Sequence, residues 1–308
     1  MDDLNELRAF LRVAESGSFA EAARLTGQST SSISKAVRRL EEKLGVKLLS
    51  RTTRSLSRTS EGERLVASAR LILDEVDAVE SAFNDSAEDP RGKLVISAPE
   101  AFGRAWMTER VLAFMARHEN VEIELQFDDR IVDLVTEGID LAIRTGSLGN
   151  SPNLIARRFF DDKIHTCAAP AYLEKTGVPQ TLKDLDRFRA VYYRNQNTGR
   201  LIPFRFKVGD ESVPKSIETV LVANSIHTLE QAGAAGLGLV QLPGFIARRS
   251  ICEGRLVEVL SEFRSPLFRN FIVYPERRLV PPRVRAFADF LIADPPTVPE
   301  VPEQGGIK

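Results

Sequence analysis

The sequence predicts an α/β protein with an N-terminal all-α winged helix-turn-helix. Three observations predict it. Two helix-period segments flank the turn Thr26-Gly27 and lead into a hairpin-like stretch ending at Thr59. From Leu65 to Phe83 apolar residues then recur at alternating spacings of four and three. Beyond Lys93, strand-like and helix-like segments alternate. The expected divisions are residues 1–59, a linker helix and hinge at 60–90, an α/β domain at 91–294 and a tail at 295–308.

The first helix of the turn motif starts at Ser18, with Glu21 placed to complete a capping box. Phe19, Ala22, Ala23 and Leu25 supply its apolar face, and Gly27 permits the left-handed stop. The second helix spans roughly Thr30 to Leu44, with Ile33, Val37, Leu40 and Leu44 as its buried stripe. Thr30, Ser31, Ser32, Ser34, Lys35, Arg38 and Arg39 occupy its other face, while Glu41 and Glu42 fall toward the far end. Short hydroxyls and cations on the first turns of a helix suit a DNA major groove, where they reach base edges and phosphates. A solvated surface helix has the same composition. The hairpin that follows favours the groove: Arg51-Thr52-Thr53-Arg54 forms a polar tip where a phosphate backbone would pass.

Ser60 with Glu63 reads as a second capping box, opening a long helix whose Leu65, Ala69, Ile72, Val76, Val79 and Phe83 form one seam. Two uses of that seam stand: packing against the following domain, or pairing with a second copy, which would place two reading helices on successive turns of a two-fold DNA site. The helix fades before Asp89-Pro90-Arg91-Gly92. The α/β elements expected next are a strand at Lys93–Ala98, a helix at Arg104–Arg117, a strand at Val121–Phe127, a short helix at Ile131–Glu137 and a buried strand at Leu141–Arg144, in a mostly parallel sheet. A second module of the same style runs from about Ile164 to Phe263.

At 308 residues with 43% hydrophobic content, the chain is long enough for two or more domains. The formal net charge is −1, so the cation excess between Gln28 and Arg58 is local, the footprint of a polyanion partner. No apolar run is long enough to span a bilayer or serve as a signal sequence, so no membrane association and a cytoplasmic location are expected. Cys167 and Cys252 lack a CxxC partner and are expected to be reduced and buried.

With these residues in view, the chain resembles the LysR-type transcriptional regulators from Met1 to about Asp294. The resemblance is carried by FLRVAESGSFAEAA (Phe10 to Ala23), ISKAVRRLEEKLGVKLLSRTT (Ile33 to Thr53), DRIVDLVTEGIDLAIR (Asp129 to Arg144) and AGAAGLGLVQLP (Ala232 to Pro243). It is most similar to the branch whose effector domain opens as Leu94-Val95-Ile96-Ser97-Ala98-Pro99 and closes near Val273-Tyr274-Pro275. The resemblance implies a two-lobed, periplasmic-binding-protein-like effector domain, with lobe I at 91–160 and 269–294 and lobe II at 161–268, joined by two crossing strands. It further implies double-stranded operator DNA with an interrupted palindrome as partner, a homodimer or homotetramer, contact with RNA polymerase, and a small-molecule effector that shifts the lobes.

In such a shape, loops after strand ends face a central cleft. The expected effector-binding residues are Ala98, Pro99, Glu100 and Phe102 in lobe I, Arg144 and Thr145 past a buried strand, and Asn224, Ser225, Gln241 and Pro243 in lobe II. Arg144 has an alternative as an ion-pair partner of Asp128 or Asp140, and Phe102 as core. Many carboxylate-sensing relatives have small hydroxyl residues where this chain has Ala98 and Glu100. An outward Glu100 would leave an anion site intact, whereas an inward one would favour an amine or hydroxyl donor. A small polar or aromatic metabolite, acidic in character, is the expected effector. An enzyme is disfavoured, because His118, His165 and His227 are scattered and no GxSxG elbow, P-loop or metal-ligand cluster occurs; no cofactor and no metal are expected. A plain solute-binding receptor would leave the N-terminal module unexplained.

Overall fold

The computed structural model describes residues 2–51, 56–83, 90–146, 153–265, 268–276 and 279–296. In the N-terminal head, α1 (Asp2–Ser16), α2 (Phe19–Thr26) and α3 (Thr30–Leu44) surround one core of Phe10, Val13, Ala22, Ile33, Val37, Leu40 and Leu48. Each large apolar side chain removed from water here contributes about 1.5–3 kcal/mol. The acidic N-terminal segment is thus a structural helix, and its Phe10 is fully buried. A short antiparallel wing, β1 (Leu49–Arg51) with β2 (Leu56–Arg58), pairs Arg51 with Leu56.

Local chemistry explains the helix ends and corrects two expectations. The Ser18 hydroxyl accepts from the Glu21 N–H, and Gly27 adopts φ +65°. The reciprocal half of the box does not form, because the Glu21 carboxylate instead receives Arg24 Nε at 2.9 Å and Nη2 at 2.5 Å. Leu25 and Leu44, assigned to apolar faces, are about half exposed because each lies at the end of its helix, beyond the core. α3 is capped by Ser29, whose hydroxyl accepts from Ser32 N–H.

The long helix α4 (Ser60–Phe83) is capped by Thr59 rather than Ser60. Thr59 Oγ1 accepts from Gly62 N–H at 3.0 Å and donates to the Lys47 carbonyl at 2.7 Å, while Glu63 pairs with Arg58. Gly62 is required there: a Cβ would stand 2.1 Å from the Leu48 carbonyl oxygen. The expected single seam is divided. Leu65 packs on the head core and Ala69 is fully buried within the chain, whereas Ile72 and Val79 are exposed. Asp74, which is not among the seam positions, is buried against Arg283. The side chain of Phe83 lies outside the described residues.

Lobe I begins with β3 (Gly92–Ala98), then α5 (Glu100–Phe102), which continues through a π-helical turn at Gly103–Met107 into α6 (Thr108–Met115). β4 (Val121–Phe127) and β5 (Leu141–Thr145) both run parallel to β3, and β6 (Leu154–Asp162) leads out of the lobe. The short helix expected at Ile131–Glu137 is not formed. Asp133 instead accepts the N–H groups of Val135 and Thr136, a turn arrangement that competes with helix.

Lobe II contains β7 (Ile164–Ala168), α7 (Pro170–Thr176), β8 (Arg189–Tyr193), the hairpin β9 (Phe204–Val208) with β10 (Glu211–Lys215), β11 (Glu218–Ala223), α8 (Ile226–Ala234), β12 (Val240–Pro243), α9 (Gly244–Cys252) and β13 (Val257–Glu258). The chain returns through β14 (Phe268–Pro275) and closes with α10 (Pro282–Ala293) on lobe I. β14 is antiparallel to both β5 and β6, pairing Phe268 with Asp162, and β6 and β14 make the crossing between lobes. In the lobe I sheet, in order β4-β3-β5-β14-β6, β4, β3, β5 and β6 run the same way, as expected of a mostly parallel sheet, and β14 opposes them as the chain returns. Among the described residues no helix is long and apolar enough to cross a membrane. Cys167 is buried as expected; Cys252, at the end of α9, is exposed.

Candidate nucleic-acid interface and effector cleft

The buried stripe Ile33-Val37-Leu40 anchors α3 to the head and turns the opposite face outward. On that face Thr30, Ser31, Ser32 and Lys35 are exposed and Ser34 is half-buried. The Ser31 hydroxyl lies 3.0 Å from that of Ser29, and Ser32 Oγ reaches Gln28 Oε1 at 3.5 Å, so the first turn presents a preordered cluster of hydroxyls. Arg38 is exposed and donates to Glu42 at 2.7 Å. Two assigned residues point elsewhere. Ser18 is engaged as the cap of α2, and Arg39 turns toward α1, with Nε 3.8 Å from the buried Glu6. Arg51 closes β1, its side chain lying outside the described residues together with the whole of Thr52, Thr53 and Arg54.

Glu41 is a structural residue that the spacing had assigned to the far end of the helix. It is buried, its carboxylate accepting from Leu48 N–H at 3.0 Å, Leu49 N–H at 3.3 Å and Lys47 Nζ at 2.6 Å, so it fixes the wing to α3. Burial opposes its charge, yet these bonds hold its carboxyl below the usual range. The signal was available: Glu41 stands one helical repeat after Val37 on the buried stripe.

In the cleft, the expected residues divide into engaged and open groups. Ala98 is fully buried and Phe102 is core, stacked with Phe160 at 5.7 Å and packed edge-on to Phe245 of lobe II at 5.6 Å. The Glu100 carboxylate pairs along its own helix with Arg104 at 3.3 Å. Its backbone N–H is taken by Asp129, whose Oδ1 accepts at 3.0 Å. The place where an anion was expected thus already holds a carboxylate of the chain itself. Burial pushes the Asp129 carboxyl above its ordinary range. Tyr193 of lobe II donates to Asp129 Oδ2 at 3.3 Å, linking the lobes.

Gln241 is fully engaged within lobe II, donating to Thr166 Oγ1 and the Arg205 carbonyl and accepting from Arg205 N–H. Pro243 pairs in register with Ile164. Asn224 is exposed and its carbonyl accepts from Gln196, and Ser225 precedes α8 without capping it. Thr145 is exposed at the end of β5, opposite Asn270.

Arg144 is different. Its Nη1 donates to the buried Ser97 hydroxyl at 3.4 Å and to the Ile143 carbonyl at 3.2 Å, while the buried Nη2 has no hydrogen-bond partner among the described residues. Neither Asp128, which pairs with Arg130, nor Asp140, which accepts from Val95 N–H, neutralises it by direct contact. Burial pulls the guanidinium downward and the nearby Asp128 charge partly offsets this. A partly buried cation with an unmet donor, at the carboxyl ends of parallel strands, has the character of a ligand anchor.

Comparison with known proteins identifies both domains. Residues 4–63 match the bacterial regulatory helix-turn-helix protein model of the lysR family, and residues 87–295 match the LysR substrate binding domain. The regulator PtxR of Pseudomonas aeruginosa is 35% identical over 289 residues, covering 94% of this chain and 92% of its own. A helix-turn-helix transcriptional regulator from Haemophilus influenzae is 35% identical over 285 residues, 92% of this chain and 98% of its own. The solved structure of CrgA, a LysR-type regulator from Neisseria meningitidis, is similar over 94% of this chain and 97% of that chain, at 32% identity and TM-score 0.60. Two domains matched in order, over nearly the full length, place the chain in the LysR family of bacterial transcriptional regulators, with a DNA-binding helix-turn-helix head and a substrate-binding effector domain.

Proposed function

We propose that α3 enters the major groove with Thr30, Ser31, Ser32, Ser34 and Lys35 toward base edges, and that Arg38, Arg51, Thr52, Thr53 and Arg54 contact flanking phosphates. The observation that carries this reading is the preordered hydroxyl cluster at the start of a helix whose opposite face is locked into a core. Ser18 and Arg39 act within the head. The exposed Ile72 and Val79, with Val76 between them, pair with the same stripe of a second copy, so that two heads meet an interrupted palindrome. A tetramer would be a pair of such dimers, and RNA polymerase a further contact at the promoter. The chain acts in the cytoplasm and by binding rather than by catalysis.

The effector is a small metabolite with an acidic group held by Arg144 and Ser97. An acid directed instead at the Glu100 N–H must displace Asp129. Calorimetric titration of the full-length protein with small carboxylic acids, beside Arg144→Gln, tests this. Binding that weakens about tenfold or more in the variant is expected, in line with loss of a charge-assisted hydrogen bond. Equal affinity of both proteins for the best acid would remove Arg144 from the site.

The DNA assignment is tested by Lys35→Ala and Ser31→Ala. Each is expected to lose about 1–3 kcal/mol of discrimination between native and random DNA. Equal losses on both DNAs would move these residues to the phosphate class.

A further inference from the structure

The segment from Asp128 to Asp140 is gripped from two sides. At its start, lobe II holds it. Asn197 Oδ1 accepts from Ile131 N–H at 2.7 Å and Asn197 Nδ2 donates to the Asp129 carbonyl at 3.0 Å, an amide pairing with backbone on both edges. Tyr193 adds its bond to the Asp129 carboxylate. At its end, α4 and the head hold it. Arg70 Nη1 donates to the Gly138 carbonyl at 3.2 Å, while Nε and Nη2 of the same guanidinium reach Glu15 of α1 at 3.1 and 2.7 Å. Gly138 has φ +65°, and a Cβ there would stand 2.5 Å from Arg70 Nη1. Asp140 lies 3.7 Å from Arg283 Nη2, which is paired with Asp74 of α4.

Between these grips the segment is tied to lobe I. Leu134 and Ile139 are buried in a small core with Val95, Ala142 and Val273, and the turn is closed by Ile139 N–H to the Leu134 carbonyl at 2.8 Å. A cavity of about 660 Å³, lined in part by Arg12, Glu15, Arg70, Asp74, Lys93 and Arg283, lies between the head, α4 and lobe I.

We infer that residues 128–140 are a coupling lever, joining the orientation of lobe II to that of α4 and the DNA-binding head within a single chain. A change in lobe closure pulls on Asp129 and Ile131, and the buried turn passes the displacement to Arg70 and hence to Glu15. Asn197 and Arg70 are positioning residues at its two ends. Coupling of this kind is reciprocal: whatever the lobe end does to the head end, the head end does in return.

Hydrogen–deuterium exchange on the full-length protein tests the lever without DNA, so its outcome is separable from the DNA-binding reading. Asn197→Ala is expected to raise exchange at Ile139 and Asp140 and in α4 around Arg70, by about fivefold, the lower end of ordinary intersite coupling. Arg70→Met is expected to raise exchange at residues 129–131 and in the 195–199 turn to a similar degree. Arg12→Met removes another partner of Glu15, 3.8 Å away, without touching Gly138, and should leave the 195–199 turn unchanged. Changes confined to the mutated end in both variants, or an Arg12→Met effect as large as that of Arg70→Met, would overturn the lever.

Discussion

The outer face of α3 and the floor of the cleft carry the same kinds of side chain, hydroxyls and arginines, under opposite conditions of solvation. On α3 the groups stand in water, their partners lie within a few residues, and Arg38 with Glu42 is an ordinary helical pair. In and around the effector domain the charged groups are buried or partly buried, and their partners come from distant parts of the chain: Asp74 of α4 meets Arg283, and Asp129 meets Tyr193. Exposed pairs of the first kind are worth little to stability, whereas a buried charge that loses its partner is costly. Variants should therefore separate the two regions, the effector side losing stability and the head losing affinity.

The largest effect is expected from Asp74→Ala, which takes from the buried Arg283 its hydrogen-bonded carboxylate and leaves Asp140 at 3.7 Å and the Lys93 carbonyl among its partners. A loss of about 3–5 kcal/mol in chemical unfolding is the expectation for one partner removed from a buried pair. A loss below about 1 kcal/mol would place this junction with the surface pairs instead.

Next is Glu258 on β13, which lies 2.9 Å from the buried His165 Nδ1 and is bonded to Arg264 at 2.6 and 2.7 Å. Burial opposes its charge, but Arg264 and His165 outweigh that and hold its carboxyl at about 2 rather than 4.5. A depressed folded-state value contributes stability that is complete above about 4.5 and fades as the pH falls toward 2. Glu258→Gln should cost about 3 kcal/mol at neutral pH and flatten the acid limb of the stability profile over that window. An acid limb unchanged in the variant would mean the carboxylate is not ionised there.

Ile72→Asp should weaken self-association without unfolding the chain, because its side chain is exposed in the single chain and the cost of a buried charge arises only on pairing. A variant with undiminished dimers in sedimentation at low concentration would put the pairing surface elsewhere. The smallest effect expected is that of Arg51→Ala or Arg54→Ala, which should weaken binding to every duplex alike and reduce the salt slope by about one. An unchanged slope in both would remove the wing from the phosphate contacts.

The same contrast explains what could be read from sequence. Helices α2 and α3 and the outer α3 face were legible because helical spacing fixes which residues share a face, and Ser18 and Gly27 mark real ends, whereas α1 was not assigned. Thr59 took the place of Ser60 as cap because its hydroxyl also reaches the Lys47 carbonyl, a partner that only the folded wing brings near. The spacing around Asp129 does not mark its role, because Glu100 reaches it only when lobe I folds, and Tyr193 and Asn197 only when the lobes meet. Gln241 followed the motif into the cleft on paper, but in the fold its amide is engaged by the β9 backbone. Periodicity reports local geometry, and nothing in it encodes contacts between lobes.

One titration addresses the DNA-binding head most directly: fluorescence anisotropy of the full-length protein on the intergenic duplex beside its own gene, against a scrambled duplex of equal length, across a range of salt. A preference of about a thousandfold or more for the native duplex, reduced by Lys35→Ala, is expected. Equal affinity for both duplexes at every salt concentration, or a preference untouched by that substitution, would contradict the assignment of α3 as the reading helix.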